Sequence, residues 1–343
     1  MKHLPAVLTA AAVLTSVALV AGCSDEGAPV SFDGRSAPAT ATTRSTDSGK
    51  NQLSEAERKT LLPTGPKAEF TKQNSIDDGT EIGVTTLHGK KSGFTGKVWV
   101  WAPKQYFDPK YAQSGFPVLI ALPGGNGYPN NYWMGTDLGL QSSISKWSRE
   151  GRSLPFIVVM PVLNPDADYY YDGSDIPGQP KMGTWMTEDV PDFVKANFRT
   201  FKSRDGWAFM GSSSGGFVGL KSVLKKPEQF KAVIASGPDT VPDSPLWNGH
   251  EKERQANHPE KLARALAAKP GGPDVYLAFQ AGSRESGLTK VKNFIRDYGK
   301  GPVKTRLQVI QDGSHNAKTY VTGMGDGSIK WISDQMQAPI AAE

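Results

Sequence analysis

The chain has 343 residues and a single cysteine, which excludes a disulfide-stapled miniprotein and leaves any exported form with a thiol that has no internal partner. Beyond the N-terminus no apolar run approaches the ~20 residues that cross a bilayer, so the body of the protein is not expected to span one. Strong charge of either sign is also missing. The 39 basic residues outnumber the 34 acidic ones only slightly, and no basic module interleaved with aromatics occurs, so a nucleic-acid partner is not expected. No period of 20 to 50 residues recurs, which argues against a solenoid. Metal-ligand patterns are absent too: there is no His-Glu-x-x-His, and the acidic loop of Asn164, Asp166, Asp168, Asp172 and Asp175 does not have EF-hand spacing. The reading is therefore no metal and no other cofactor.

What is present begins with an address. Lys2 precedes an apolar stretch from Leu4 to Val20, then small residues and Cys23. A positive start, a modest hydrophobic segment and small residues before a cut site read as an export signal rather than a membrane span. Val20-Ala21-Gly22-Cys23 resembles the bacterial lipobox. That resemblance implies removal of residues 1–22 and lipidation of Cys23, which would tether the protein to the outer face of the cytoplasmic membrane. Residues 23–66 are rich in Ser, Thr, Ala, Gly, Asp and Pro and read as a lipid-anchored flexible linker, with a short helix at most near Leu53 to Leu62. Residues 67–343 are then expected to form one domain.

In that domain apolar runs alternate with helical patterns. Strands are expected at Val98 to Ala102, Pro117 to Leu122, Phe156 to Met160, Trp207 to Met210, Ala232 to Ala235, Val275 to Phe279 and Thr305 to Ile310. Helices are expected at Asp189 to Phe198, Ser214 to Lys226, Pro259 to Lys269 and Thr289 to Tyr298. Nearly continuous apolar strands separated by helices predict a mostly parallel central sheet with helices on both faces, an α/β class in which chemistry gathers at the carboxyl ends of the strands.

The sharpest motif is Gly211-Ser212-Ser213-Ser214-Gly215, between the apolar strand ending at Met210 and the helical run that follows. A nucleophile on a tight strand-to-helix turn needs small neighbours so that the backbone can fold sharply, which makes Ser213 the candidate nucleophile. A serine hydroxyl needs a positioned base. Of five histidines, His315 follows a late strand in Gly313-Ser314-His315, whereas His88, His250 and His258 lie in an early turn and a polar insertion. The acid that orients the base should follow the strand Val275 to Phe279, where Glu285 is the carboxylate available; Asp297 and Asp312 are weaker candidates. Pro123-Gly124-Gly125-Asn126-Gly127 directly after a strand offers one oxyanion donor, taken as Gly125, and the residue after the nucleophile, Ser214, offers the other. Tyr169, Tyr170 and Tyr171 are read as stacking surface for a substrate at the mouth of the site.

In this order the motifs, Leu122-Pro123-Gly124-Gly125, Phe156-Ile157-Val158-Val159-Met160-Pro161, Trp185 to Phe198, Gly-Ser-Ser-Ser-Gly, Lys226-Pro227-Glu228-Gln229-Phe230 and Gly-Ser-His, resemble the esterase D and mycolyltransferase branch of the α/β-hydrolases. The resemblance covers about Val98 to Trp331. It implies the α/β-hydrolase fold, catalysis by Ser213 and His315, and oxyanion donors at Gly125 and Ser214. Two places depart from the mycolyltransferases. No carboxylate stands in Val291-Lys292-Asn293-Phe294-Ile295-Arg296, and Asn316-Ala317-Lys318 stands where an aromatic usually follows the histidine. Both favour a general esterase. The expectation is a membrane-tethered serine esterase for a carboxylic ester, with cell-wall and carbohydrate esters among the candidates. Acyl transfer to a sugar hydroxyl, or a non-catalytic hydrolase-like lipoprotein that binds cell-wall carbohydrate, are the alternatives.

Overall fold

The computed structural model describes residues 27–33 and 53–342. In chain order their strands are β1 (Pro29–Val30), β2 (Thr60–Leu61), β3 (Phe70–Ser75), β4 (Glu81–His88), β5 (Thr95–Trp101), β6 (Val118–Leu122), β7 (Ile157–Pro161), β8 (Thr200–Phe201), β9 (Trp207–Ser212), β10 (Ala232–Ser236), β11 (Val275–Gly282) and β12 (Val303–Ile310). Ten of them make one sheet in the order β1-β3-β4-β5-β7-β6-β9-β10-β11-β12, and β2 pairs with β8 apart from it. From β7 to β12 the neighbours are parallel; from β1 to β7 they are antiparallel.

Every residue of β6, β7, β9 and β10 is buried. Successive side chains of a strand point to opposite faces, so total burial requires cover on both. The helix Ser214–Lys225 packs on β9 and β10 and touches Pro259–Ala267, which in turn touches Leu288–Tyr298; Ala317–Gly323 and Ile329–Ser333 pack against β10, β11 and β12. The expected mostly parallel sheet with helices is thus present. β3 and β4 were not expected, because Phe70-Thr71-Lys72-Gln73-Asn74-Ser75 carries one fully buried side chain and no apolar run. Their place is set by pairing onto β5 rather than by burial.

Strand order positions the site. β6 lies between β7 and β9, so the chain leaves β6 toward one side for β7 and returns to the other side for β9. A crevice opens at the carboxyl ends where the direction reverses. Register brings Leu122 beside Gly211, and Ser236 beside both Ser212 and Gln280. The loops after β6, β9, β10 and β11 therefore start from neighbouring points.

The domain begins earlier than residue 67. β1 pairs with β3, and the Phe32 ring packs edge-on against Phe70 and Phe198 with centroids 4.9 and 5.2 Å apart. Glu55–Lys59 is a helix with a reciprocal cap: Ser54 Oγ accepts from the Glu57 N–H at 3.2 Å, and the Glu57 carboxylate accepts from the Ser54 N–H at 2.8 Å. Thr60, which follows, is buried and its hydroxyl accepts from the Gly115 N–H at 2.6 Å. Residues 27–33 and 53–66, assigned to the linker by composition, thus belong to the folded body. A window average dominated by Ser and Thr hides one anchoring phenylalanine. The signal segment, Cys23 and residues 34–52 lie outside the described residues. No helix among the described residues is long and apolar enough to cross a membrane.

Truncating Phe32 to Ala should remove the anchor of the N-terminal strand and lower unfolding free energy by about 3 kcal/mol, read as the urea midpoint at constant slope. An unchanged midpoint would mean that residues 27–33 are spacer after all.

Candidate active site

Ser213 sits between β9 and the helix Ser214–Lys225 with φ 53° and ψ −122°, a conformation that costs a residue with a Cβ of order 1–3 kcal/mol. Three features hold it there. Its N–H donates to the Ser236 carbonyl at 2.8 Å, and its carbonyl accepts from the Phe217 N–H at 2.9 Å. The flanking glycines leave no room for side chains: a Cβ on Gly211 would run into the Gly215 backbone, and one on Gly215 into the carbonyls of Leu122 and Pro123. The motif's glycines are thus required by close packing of β6, the turn and the helix. Among the described residues the Ser213 hydroxyl makes no hydrogen bond, so it is free at the cavity wall that it lines.

The loop after β6 is tied to the same turn. Ser214 Oγ donates to the Gly125 carbonyl at 2.7 Å, Tyr132 Oη accepts from the Gly124 N–H at 2.7 Å, and Tyr132 is also hydrogen-bonded to Ser212 Oγ. Gly125 has φ +65°, a left-handed conformation suited to glycine. Among the described residues the N–H groups of Gly125 and Ser214 donate to no protein acceptor. They are the two groups named from sequence as oxyanion donors, and Ser214 opens a helix, where the dipole favours negative charge. Tyr132 was not named; a tyrosine beside a tryptophan in a loop reads as core.

His315 and Glu285, separated by 30 residues in sequence, meet with His315 Nδ1 and Glu285 Oε2 at 2.9 Å. The carboxyl side chain is only 3% exposed and the imidazole 51%, so a buried acid backs a ring open to the cavity. Glu285 Oε1 accepts from the Gly282 N–H at 2.5 Å. Tyr320 completes the cluster. Its hydroxyl donates to Glu285 Oε2 at 2.9 Å and lies 2.9 Å from His315 Nδ1, and burial, reinforced by the Glu285 charge, pushes its pKa far above the ordinary tyrosine value. Tyr320 stands on the helix Ala317–Gly323, five residues after the histidine, while Asn316, Ala317 and Lys318 directly after it carry no aromatic ring. Gly237, directly after β10 at φ +53°, underlies all three: a Cβ there would run into Tyr320 Oη and come within 2.7 Å of Glu285 Oε2 and 2.8 Å of His315 Cε1.

The weaker candidates are engaged elsewhere. Asp312 pairs with Arg284 at 2.8 Å, Asp297 with Arg296 at 2.7 Å, and His88 Nδ1 is 3.0 Å from Thr95 Oγ1. Arg284 is thereby drawn away from Glu285. Among the described residues no three His, Cys, Asp or Glu side chains cluster as a metal site would require.

The tyrosine run needs a correction. Tyr169 and Tyr170 are exposed, and Tyr170 lines the cavity with Ser213 and His315. Tyr171 is buried, and its hydroxyl donates to Asp166 Oδ2 at 2.6 Å while its N–H donates to Asn164 Oδ1 at 3.0 Å. Burial and Asp166 push its pKa up to about 12. Three adjacent residues cannot all present their rings to one side; Tyr171 is an internal strut of the loop and not substrate surface. The cavity beside Ser213 has a volume of about 420 Å³ and is also walled by Tyr132, Leu138 and Tyr320.

The architecture around this cavity is shared with solved structures. A ferulic acid esterase superposes with TM-score 0.61 at 17% identity, over 75% of this chain and 99% of its own. An S-formylglutathione hydrolase from Agrobacterium tumefaciens gives 0.58 at 19%, over 78% and 99%. The feruloyl esterase module from Clostridium thermocellum, an S954A mutant complexed with sinapinate, gives 0.58 at 16%, over 80% and 97%. These likenesses place the parallel sheet and its helices in the α/β-hydrolase fold. An uncharacterized protein from Corynebacterium glutamicum is 24% identical over an alignment of 296 positions that covers 78% of this chain and 66% of that protein, just under two thirds of its length. Residues 93–326, which carry the loop after β6, the elbow, Glu285, His315 and Tyr320, match the family model described as "Putative esterase", and the chain belongs to that family.

Proposed function

We propose that the protein is a serine esterase that cleaves carboxylic esters through an acyl-enzyme on Ser213. The observation that carries this reading is the convergence, on one cavity, of an unbonded serine hydroxyl held at positive φ and an imidazole whose far nitrogen faces a buried carboxylate. With Nδ1–H directed at Glu285, Nε2 is the nitrogen left to act as base. It takes the Ser213 proton as Oγ attacks the ester carbonyl carbon, and the carbonyl oxygen, now an oxyanion, is received by the N–H groups of Gly125 and Ser214. Collapse of the tetrahedral adduct breaks the bond to the alcohol, which leaves with the proton from Nε2. A water molecule then repeats the sequence and returns Ser213 to its resting form. Glu285 holds one tautomer of the ring and faces the cation that forms on it.

Tyr320 and Gly282 act through Glu285, as positioning groups. A carboxylate that accepts from a phenol, a backbone N–H and an imidazole has little freedom to rotate, and the ring it holds inherits that rigidity. The open cavity and the exposed Tyr170 support an ester with a sizeable acyl or alcohol group. For the address, we read residues 1–22 as an export signal and Cys23 as the lipidated residue that tethers the enzyme outside the cytoplasmic membrane.

Replacing Ser213 by Ala should lower kcat for p-nitrophenyl esters on the order of 10⁴-fold with the fold intact by circular dichroism; retained turnover would remove Ser213 as nucleophile. Tyr320→Phe deletes one hydrogen bond to a buried charge and should lower kcat about tenfold with KM nearly unchanged, whereas a purely structural role would lower thermal stability without that split. Metabolic labelling with an alkyne fatty acid should mark the wild-type protein in its native host and fail for Cys23→Ser; equal labelling of both would contradict the anchor.

A further inference from the structure

A second, smaller cavity opens beside Ser213. It holds about 140 Å³ and is lined by Tyr170, Asp172, Phe217, Asp239 and Asp243 together with the elbow. Its charge is lopsided. Asp243 has no ion pair among the described residues, and Asp239 has only the exposed Lys290 at 3.8 Å, a contact that water and salt weaken.

Asp172 is the decisive member. It is 5% exposed and sits at φ +51°, next to Gly173 at φ +49°, a conformation its surroundings must enforce. Its Oδ2 accepts from the Trp247 indole N–H at 2.6 Å and from the Ser244 N–H at 3.3 Å. Its Oδ1 accepts no hydrogen bond among the described residues and is the oxygen left for the cavity. The nearby cations make no hydrogen bond to the Asp172 carboxylate, on which Lys221 acts by its charge alone. Lys221 Nζ, fully buried, gives its three protons to the carbonyls of Asp172 and Gly173 and to Ser174 Oγ at 2.5–2.6 Å, and Arg254 is paired with Glu251 at 2.6 Å. Burial raises the pKa of Asp172, and burial with the neighbouring Asp239 raises that of Asp243. Both carboxyls would therefore gain from a positive charge placed between them.

Three carboxylates that outnumber the cations facing them, two aromatic side chains and a small volume together describe the surroundings that alkylammonium groups prefer. Resting on the serine esterase reading, we propose that this pocket binds a positively charged alkylammonium group on the alcohol half of the substrate, with Asp172 and Asp243 as its counter-ions, while the acyl half occupies the larger cavity. Esters carrying an anionic group at the same place are excluded by the same charges.

The test compares acetylcholine with 3,3-dimethylbutyl acetate, which has the same shape without the charge, and uses p-nitrophenyl acetate to report the serine chemistry. Wild type should favour acetylcholine in kcat/KM by at least about tenfold. The double substitution Asp172→Asn with Asp243→Asn removes both counter-ions while leaving Trp247 and Ser244 an amide oxygen to donate to; it should bring that ratio close to one, and 0.5 M salt should reduce it in wild type. A wild-type ratio near one, or a preference that survives the double substitution, overturns the proposal while p-nitrophenyl acetate turnover leaves the esterase reading standing. If p-nitrophenyl acetate is not cleaved, the esterase reading fails separately, and calorimetry with tetramethylammonium decides: binding that the double substitution abolishes supports the pocket, and no binding to wild type overturns it.

Discussion

Ser213 occupies a backbone conformation that a residue with a side chain avoids, and the rest of the site is arranged around keeping it there. The strain is of order 1–3 kcal/mol. It is offset by the hydrogen bond from the Ser213 N–H to Ser236, by the first turn of the helix closing on the Ser213 carbonyl, and by the contact of two glycines with β6 and with each other. A helix packed so closely on its preceding strand can only follow a turn of this kind. In return, the hydroxyl stands free above the sheet with unbonded N–H groups beside it, and no reorganisation is needed when charge develops.

Parallel strands supply the other groups at the right height. Because β6, β9, β10 and β11 are neighbours in register, the loops that leave their carboxyl ends deliver the Gly125 N–H, the elbow, Gly237 and Glu285 to adjacent positions, and the loop after β12 delivers His315. Gly237 shows how tight this is. The space its missing side chain leaves is filled by the imidazole, the carboxylate and the phenol together. The grouping of these side chains is therefore a consequence of strand order.

Much of this was legible in the chain itself. The central strands announce themselves because burial on both faces demands unbroken apolar runs, and the elbow because a turn of that sharpness demands small residues at fixed offsets. Glu285 and His315 could be named because each follows a recognisable strand. What escaped notice depends on partners distant in sequence. Tyr320 is one aromatic on a short helix and looks like core until its hydroxyl is seen against Glu285. Gly237 is one glycine among 37. Asp172 is one acid in a loop of acids, and only its burial and its bond to Trp247 distinguish it. β3 and β4 lie in the antiparallel part of the sheet and their place comes from pairing, and Phe32 is a single apolar anchor inside a polar stretch. Tyr171 failed in the other direction: three tyrosines in a row suggest a surface, but a chain turning through a loop buries one of them.

Covalent acylation of Ser213 is the step on which the proposed chemistry rests. Its most direct test is intact-mass and peptide analysis of wild-type protein quenched during turnover of a slowly hydrolysed p-nitrophenyl ester. One added acyl group is expected on the peptide that contains Ser213, absent from Ser213→Ala and lost on incubation with water. Turnover without any acylated peptide, or acylation at a different residue, would contradict it.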